Sequence, residues 1–317
     1  MAKKRIQREI RLIIILAVLS VIFFGLTFGI KAVESHREDA EQQYIDQAVM
    51  ADLPDHVEVT EGSEHFVLVS EKGEWYLEGN KDVPIDGLQV TDTRSVSKYF
   101  APGRVITGQK DNLKTFGLAD PQAKVTLSNA GSSITYLIGN FNPVTNEYYA
   151  ALEGGDTVYM ISKKDGVSLK KPLTDYVAQP EITKASFNDI NVIMAKSPDT
   201  AYIIAADGGR YLVQTANGTY EIDQAKVMEI FNSFTFSTDY RCVNYDCTEE
   251  DLKGYGLDDP AVHVRFMMAS DGSEIGLKVA EGADGVHYIT DDAGKIVYSI
   301  SDDDYKEMTE KINIRFN

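Results

Sequence analysis

Cysteine is nearly absent. Cys242 and Cys247 are the only two in 317 residues, and tryptophan is limited to Trp75. Two cysteines cannot build a disulfide scaffold or a four-thiolate metal site. The five histidines, His36, His56, His65, His263 and His287, lack the i, i+4 spacing that sets two imidazoles on one helix face for zinc. Basic residues are also short, 31 against 49 acidic ones, for a formal charge of −18. A surface of that sign repels phosphate backbones and anionic headgroups, so nucleic acid is not an expected partner and the globular part is not expected to lie on a membrane. There is no Gly-x-Ser-x-Gly, no phosphate loop and no dinucleotide fingerprint. No enzyme activity, cofactor or metal is therefore expected. What is present in quantity is apolar residue, 43% with 10% aromatic, enough to bury one large core or two ordinary ones.

The charge is unevenly placed. Lys3, Lys4, Arg5, Arg8 and Arg11 precede 19 residues without a charge, Leu12 to Ile30. At ~1.5 Å per residue a helix of that length just crosses a hydrocarbon core of ~30 Å. The apolar run exceeds the ~7–15 residues of a signal-peptide core, and Thr27 and Gly29 make a poor cleavage site. The segment reads as an uncleaved anchor, with the basic tail 1–11 in the cytoplasm and the rest of the chain outside. Residues 31–54, rich in Glu, Gln, Asp and Ala, read as a polar helical stalk ended by Pro54.

The rest repeats itself. Leu113 to Leu127 reads LKTFGLADPQAKVTL and Leu252 to Phe266 reads LKGYGLDDPAVHVRF, with seven of fifteen positions identical at an offset of 139. The same offset carries Tyr149 to Tyr288 and Val158-Tyr159 to Val297-Tyr298. A constant offset of this kind predicts two tandem α+β modules, 55–180 and 181–317. In the second, runs at 201–206, 210–215 and 219–222 are separated by Asp207-Gly208-Gly209 and Asn217-Gly218, a meander with positive-φ turns. Asp223 then caps a helix with Val227, Ile230, Phe231 and Phe234 on one face. The first module matches with 66–70, 75–77 and a helix from about Thr91 to Phe100. Gly117 and Gly256 take the left-handed conformation that ends a short helix, Leu118 and Leu257 plug the core, and Asp120-Pro121 and Asp259-Pro260 launch the next strand. Strands then follow at about 123–128, 132–138, 146–152 and 156–161, and again at 261–270, 273–280, 285–291 and 294–300. Each module is expected to be an antiparallel sheet with packed helices.

On this Gly-Leu-x-Asp-Pro turn, the preceding Leu-Lys-x-Phe/Tyr, Ile138-Gly139, Tyr148-Tyr149 and Val158-Tyr159, the chain resembles the bacterial envelope proteins grouped as domain of unknown function 4340. The resemblance covers about residues 60–317, with the motif in both modules; the second departs where Leu277-Lys278-Val279 replaces the Ile-Gly step. It implies one N-terminal transmembrane helix in the bacterial plasma membrane and an accessory role beside an ABC transporter. It supplies no catalytic residues.

Other constellations read more simply. Cys242 and Cys247, separated by four residues in an extracytoplasmic segment, are a candidate local disulfide, with two free thiols as the alternative. Asp258-Asp259, Asp291-Asp292 and Asp302-Asp303-Asp304 offer oxygens of the kind calcium takes, but without EF-hand spacing they read as turns and a helix start. Ser95-Val-Ser-Lys98 has the Ser-x-x-Lys of penicillin-interacting enzymes without its companion motifs. Seventeen tyrosines suit cross-strand packing before they suit a binding groove. Two functions stay open: an envelope protein whose modules bind another protein, an ABC transport component in the first instance, or a module that binds a glycan, peptide or cation.

Overall fold

The computed structural model describes residues 40–236 and 240–314. The expected basic tail 1–11, the anchor 12–30 and the stalk as far as residue 39 lie outside the described residues. Among the described residues no helix is long and apolar enough to cross a membrane.

Helix α1 is described over residues 40–47. The strands that follow are β1 His56–Glu61, β2 Glu64–Glu71, β3 Glu74–Leu77 and β4 Asn80–Pro84, then helix α2 Gly87–Lys98 and strand β5 Arg104–Ile106. Next come β6 Ala123–Asn129, β7 Ser132–Asn142, β8 Glu147–Leu152, β9 Val158–Ser162 and helix α3 Lys163–Leu169. The second series is β10 Ile190–Lys196, β11 Ala201–Asp207, β12 Arg210–Thr215, β13 Gly218–Ile222, helix α4 Gln224–Thr235, β14 Arg241–Asn244 and helix α5 Glu249–Gly254. It ends with β15 Val262–Met268, β16 Glu274–Glu281, β17 His287–Asp291, β18 Val297–Ile300 and helix α6 Asp302–Ile312.

These strands form two antiparallel nine-stranded sheets, β4-β3-β2-β1-β6-β7-β8-β9-β5 and β13-β12-β11-β10-β15-β16-β17-β18-β14. The two orders are the same, strand for strand. The hairpins fall where the Gly-containing turns predict them. Strands that the sequence did not announce include β1 and β10, each next to the middle strand of its sheet, and the edge strands β4, β5 and β14. Strands β1 and β10 each turn tightly into the next strand, at Gly62-Ser63 and at residues 197–200, and pair on the other edge with β6 or β15, far along the chain. Helix α2 also begins earlier than Thr91, because the Asp86 carboxylate accepts the Leu88 N–H at 2.8 Å and starts it there.

The chain divides into two compact units, one running up to His65 and resuming over Thr93–Lys170, the other holding Phe66–Asp92 and Lys171 onward. In the first unit Val57, Val59, Val125 and Leu127 alternate inward and are buried, while Glu58, Thr60, Lys124 and Thr126 face out. The end of α1 is held down by two tyrosine hydroxyls. Tyr136 Oη donates to the Ala48 carbonyl at 2.6 Å and Tyr159 Oη to the Tyr44 carbonyl at 2.8 Å. Both carbonyls fall in the last turn, where a helix leaves its C=O groups without partners. Phe100 stacks on Tyr136 and meets Tyr159 edge-on, which fixes both rings. Burial holds the Tyr136 hydroxyl well above the usual phenol range and pushes that of Tyr159 up to about 12, so both stay donors.

In the second unit Val262, Val264, Phe266 and Met268 of β15 point inward, and Phe231 and Phe234 of α4 pack edge-on against Phe266 at 5.8 and 5.7 Å. Fully burying a side chain of this size is worth roughly 1.5–3 kcal/mol. Asp223 caps α4 as expected, accepting the Ala225 N–H at 2.9 Å. Tyr298, which lies 139 residues after Tyr159, again reaches the segment that precedes its sheet, donating to the Ala178 carbonyl at 2.7 Å.

Replacing Tyr136 by Phe leaves the buried Ala48 carbonyl unpartnered, which costs about 1–3 kcal/mol. The Tyr136→Phe chain should show a lower denaturation midpoint with an unchanged slope. Tyr99→Phe, at an exposed ring, should show neither change.

Candidate functional site

The repeated turn is built the same way twice. Gly117 has φ 73 and Gly256 φ 73, left-handed values that close the short helices ending at Phe116 and in α5. Gly117 N–H donates to Lys114 C=O at 3.1 Å and Leu118 N–H to Leu113 C=O at 2.9 Å; the corresponding bonds of Gly256 and Leu257, to Lys253 and Leu252, are 3.1 and 2.8 Å. Leu118 and Leu257 are 2% and 1% exposed, so each does plug its core. Asp120 and Asp259 are exposed, and Pro121 and Pro260 lead into β6 and β15. The aromatic beside each turn packs on a tyrosine of the sheet, Phe116 on Tyr149 at 5.0 Å and Tyr255 on Tyr288 at 4.6 Å. All of these contacts are packing.

The Ile138-Gly139 step has a local reason. A β-carbon at Gly139 would run into the Phe116 carbonyl, so the first turn sits directly on the strand. At the matching position the second sheet has Lys278, and its turn instead rests Gly256 against the Glu281 carbonyl, 2.5 Å from where a β-carbon would lie.

The polar candidates scatter. His263 lies on β15 and His287 on β17, with β16 between them. His287 stacks on Tyr305 at 3.9 Å and pairs with Asp302 at 3.1 Å. Asp291 accepts the Gly294 N–H at 2.9 Å in the β17–β18 turn, and Ser301 with Asp304 caps α6 at 3.1 Å. Ser95 and Lys98 of the Ser-x-x-Lys stretch lie in the last turn of α2, where the Tyr99 N–H donates to the Ser95 carbonyl at 3.0 Å. Among the described residues no three His, Cys, Asp or Glu side chains come together as a metal site. Cys242 and Cys247 are both free thiols, on β14 and at the foot of α5. Burial pushes the Cys242 thiol up to about 12 and raises that of Cys247 as well, the opposite of a redox or nucleophilic cysteine.

One charged cluster went unnoticed in the sequence. Asp292 reaches His263 Nε2 at 2.6 Å and Arg265 Nε at 2.8 Å, lying across the outward face of the second sheet. Gly276 makes this feasible, since a β-carbon there would collide with the Asp292 carboxylate. Its counterpart was visible at the same offset: Lys124 and Glu153, 139 residues earlier, form an ion pair at 2.6 Å. Beside the cluster a shallow groove of about 550 Å³ runs over Met194, Ile203 and Gln214. On its other side a cavity of about 280 Å³ is lined by Pro180, Glu181, Glu274, Asp291, Asp292 and Tyr298.

Two antiparallel sheets of one strand order, with glycine turns and aromatic locks repeated between them, define a mixed helix-and-sheet protein organised around packing. The family described as Domain of unknown function (DUF4340) matches residues 75–235, just over half of the 317 residues, and the chain belongs to that family. The match runs from β3 to the last residue of α4 and thus takes in parts of both sheets. No curated protein matches the chain.

Alanine at Gly117 or Gly256 meets both the left-handed φ and a close neighbour, Asn140 or Glu281, and should destabilise the chain by more than the ~1 kcal/mol of the φ term alone. Gly154 has φ 76 with open space around it, so Gly154→Ala should cost only that smaller amount in the same thermal or denaturant melts. For the thiols, a colourimetric reagent at pH 8 should react slowly with the native protein and count two groups per chain after denaturation. A count of zero would establish a bridge instead. Since folding raises the Cys242 pKa, its contribution to stability is complete below the ~8.5 of an unfolded thiol and is lost as pH climbs toward 12.

Proposed function

We propose that this chain is a membrane-anchored extracytoplasmic interaction protein, built from two copies of one module and accessory to an ABC-type transport system in the bacterial envelope. In this reading residues 12–30 are the anchor, the basic tail 1–11 is cytoplasmic, and the modules 55–180 and 181–317 are presented outside. The observation that carries it is what the two halves hold in common. Gly117 and Gly256, Leu118 and Leu257, the Phe116–Tyr149 and Tyr255–Tyr288 pairs, and the Phe100–Tyr159 and Tyr240–Tyr298 pairs are all packing contacts. No nucleophile with its base recurs among them, whereas outward-facing residues differ freely. That is the pattern of a scaffold whose surfaces are its working parts.

Ligand binding is the second reading, favoured by the cavity beside Tyr298. It ranks behind because three of the four carboxylates there are already engaged, Glu181 with Lys184 at 2.7 Å, Asp291 with Gly294 N–H and Asp292 with His263 and Arg265. Crosslinking in intact cells, purification through a C-terminal tag and mass spectrometry should recover a transporter permease or its auxiliary membrane protein in stoichiometric amount. Recovery of the chain alone, or with wall fragments, would overturn the accessory role in favour of ligand binding.

A further inference from the structure

The outward faces of the two sheets can be compared position by position, because β6 and β15 are related by the 139-residue offset and pair with β1 and β10 respectively. On the first sheet the cross-strand pairs are His56 with Ser128, Glu58 with Thr126 and Thr60 with Lys124. At the same places the second sheet pairs Val192 with Met267, Met194 with Arg265 and Lys196 with His263. The first face is polar and internally satisfied: Thr126 and Thr135 share a hydroxyl hydrogen bond at 3.0 Å, and Glu58 takes His65 at 3.1 Å. The second has lost those groups.

In their place Val192, Met194, Ile203, Ala205, Leu212 and Met267 form one apolar field, joined across the ladder by the Met194–Ile203, Val192–Ala205 and Ala205–Leu212 pairs. Ile203 is 42% exposed and its neighbours are half-buried. Helix α4 packs on the opposite face, against Phe266. Along one margin stand Lys196, His263, Arg265 and Lys278, four cationic or protonatable side chains answered locally by Asp292. In a chain of net charge −18 such a margin is a local inversion of sign.

We propose that this face docks a partner protein whose contact segment is apolar and bordered by Asp or Glu side chains. This rests on the interaction reading above and names the surface and the chemistry it selects. The apolar field supplies contact area, while the cationic margin selects an acidic border and rejects basic ones.

The test places a photoreactive amino acid at Met194, and separately at Glu58, in the full-length chain in its own membranes. The Met194 probe should give one protein adduct, mapped by mass spectrometry to a peptide carrying Asp or Glu, and the Glu58 probe should not give it. Lys196→Glu with Lys278→Glu should reduce that adduct at least tenfold with an unchanged melting temperature, and lysine at the mapped partner carboxylates should restore it. If the charge-reversed chain melts early, Lys196→Gln with Lys278→Gln serves instead, with the same loss expected. Adducts only to lipid or to a second copy, equal adducts from Glu58, or a yield indifferent to these charges would each overturn the proposal. A partner that still co-purifies while the Met194 probe is silent would refute this face alone. No partner in either experiment would bring down the interaction reading itself.

Discussion

The left-handed backbone at Gly117 and Gly256 is the constraint on which both sheets depend. Each glycine stops a short helix, turns the chain through a conformation that a β-carbon resists, and delivers it into β6 or β15, the middle strand of its sheet. The leucine that follows is fixed by the same two backbone hydrogen bonds in both places, and the aromatic before it is seated on a tyrosine two strands away. If the turn moved, the inward alternation of β6 and β15 would lose its register, and a shift of one residue would carry the core side chains to the solvent face.

Around that turn, tyrosine hydroxyls do a job that aliphatic side chains cannot. Tyr159 and Tyr298 each leave an aromatic core to donate to a carbonyl in the segment that enters their sheet, Tyr44 and Ala178, and Tyr136 adds a third such bond at Ala48. Each satisfies a carbonyl that would otherwise be withdrawn from water without a partner, so the entering segment is held by polarity as well as by shape. Tyrosine at these three positions thus has a structural cause.

Over one strand order the outward faces of the two sheets differ. Thr126 and Glu58 on one sheet stand where Arg265 and Met194 stand on the other, over cores that keep the same strand order. Inward positions answer to packing density, and a wrong volume there costs several kcal/mol. Outward positions answer only to what touches them. Inward positions change only among apolar residues, Val57 and Leu127 standing where Ile193 and Phe266 do, whereas outward positions change in polarity, and that change is information about surroundings.

Local chemistry was readable from the chain itself: the Asp-Gly and Asn-Gly hairpins, the Asp223 cap, the glycine turns with their core leucines, and the 139-residue repeat all follow from φ preferences, hydrogen bonding and period-2 alternation over a few residues. Belonging to a family without a described function followed from the same motif, and the anchor was read from an apolar run that lies outside the described residues. Other features needed the tertiary structure. These are the places of β1 and β10 beside β6 and β15, the pairing of β5 with β9 and β14 with β18, the hydroxyl bonds to Tyr44, Ala48 and Ala178, and the Asp292 cluster on an apolar face. Each of these joins groups distant in sequence, and no local propensity specifies which distant partner a strand edge, a buried carbonyl or a carboxylate will meet. That choice is made only when the cores close and the sheet registers are set.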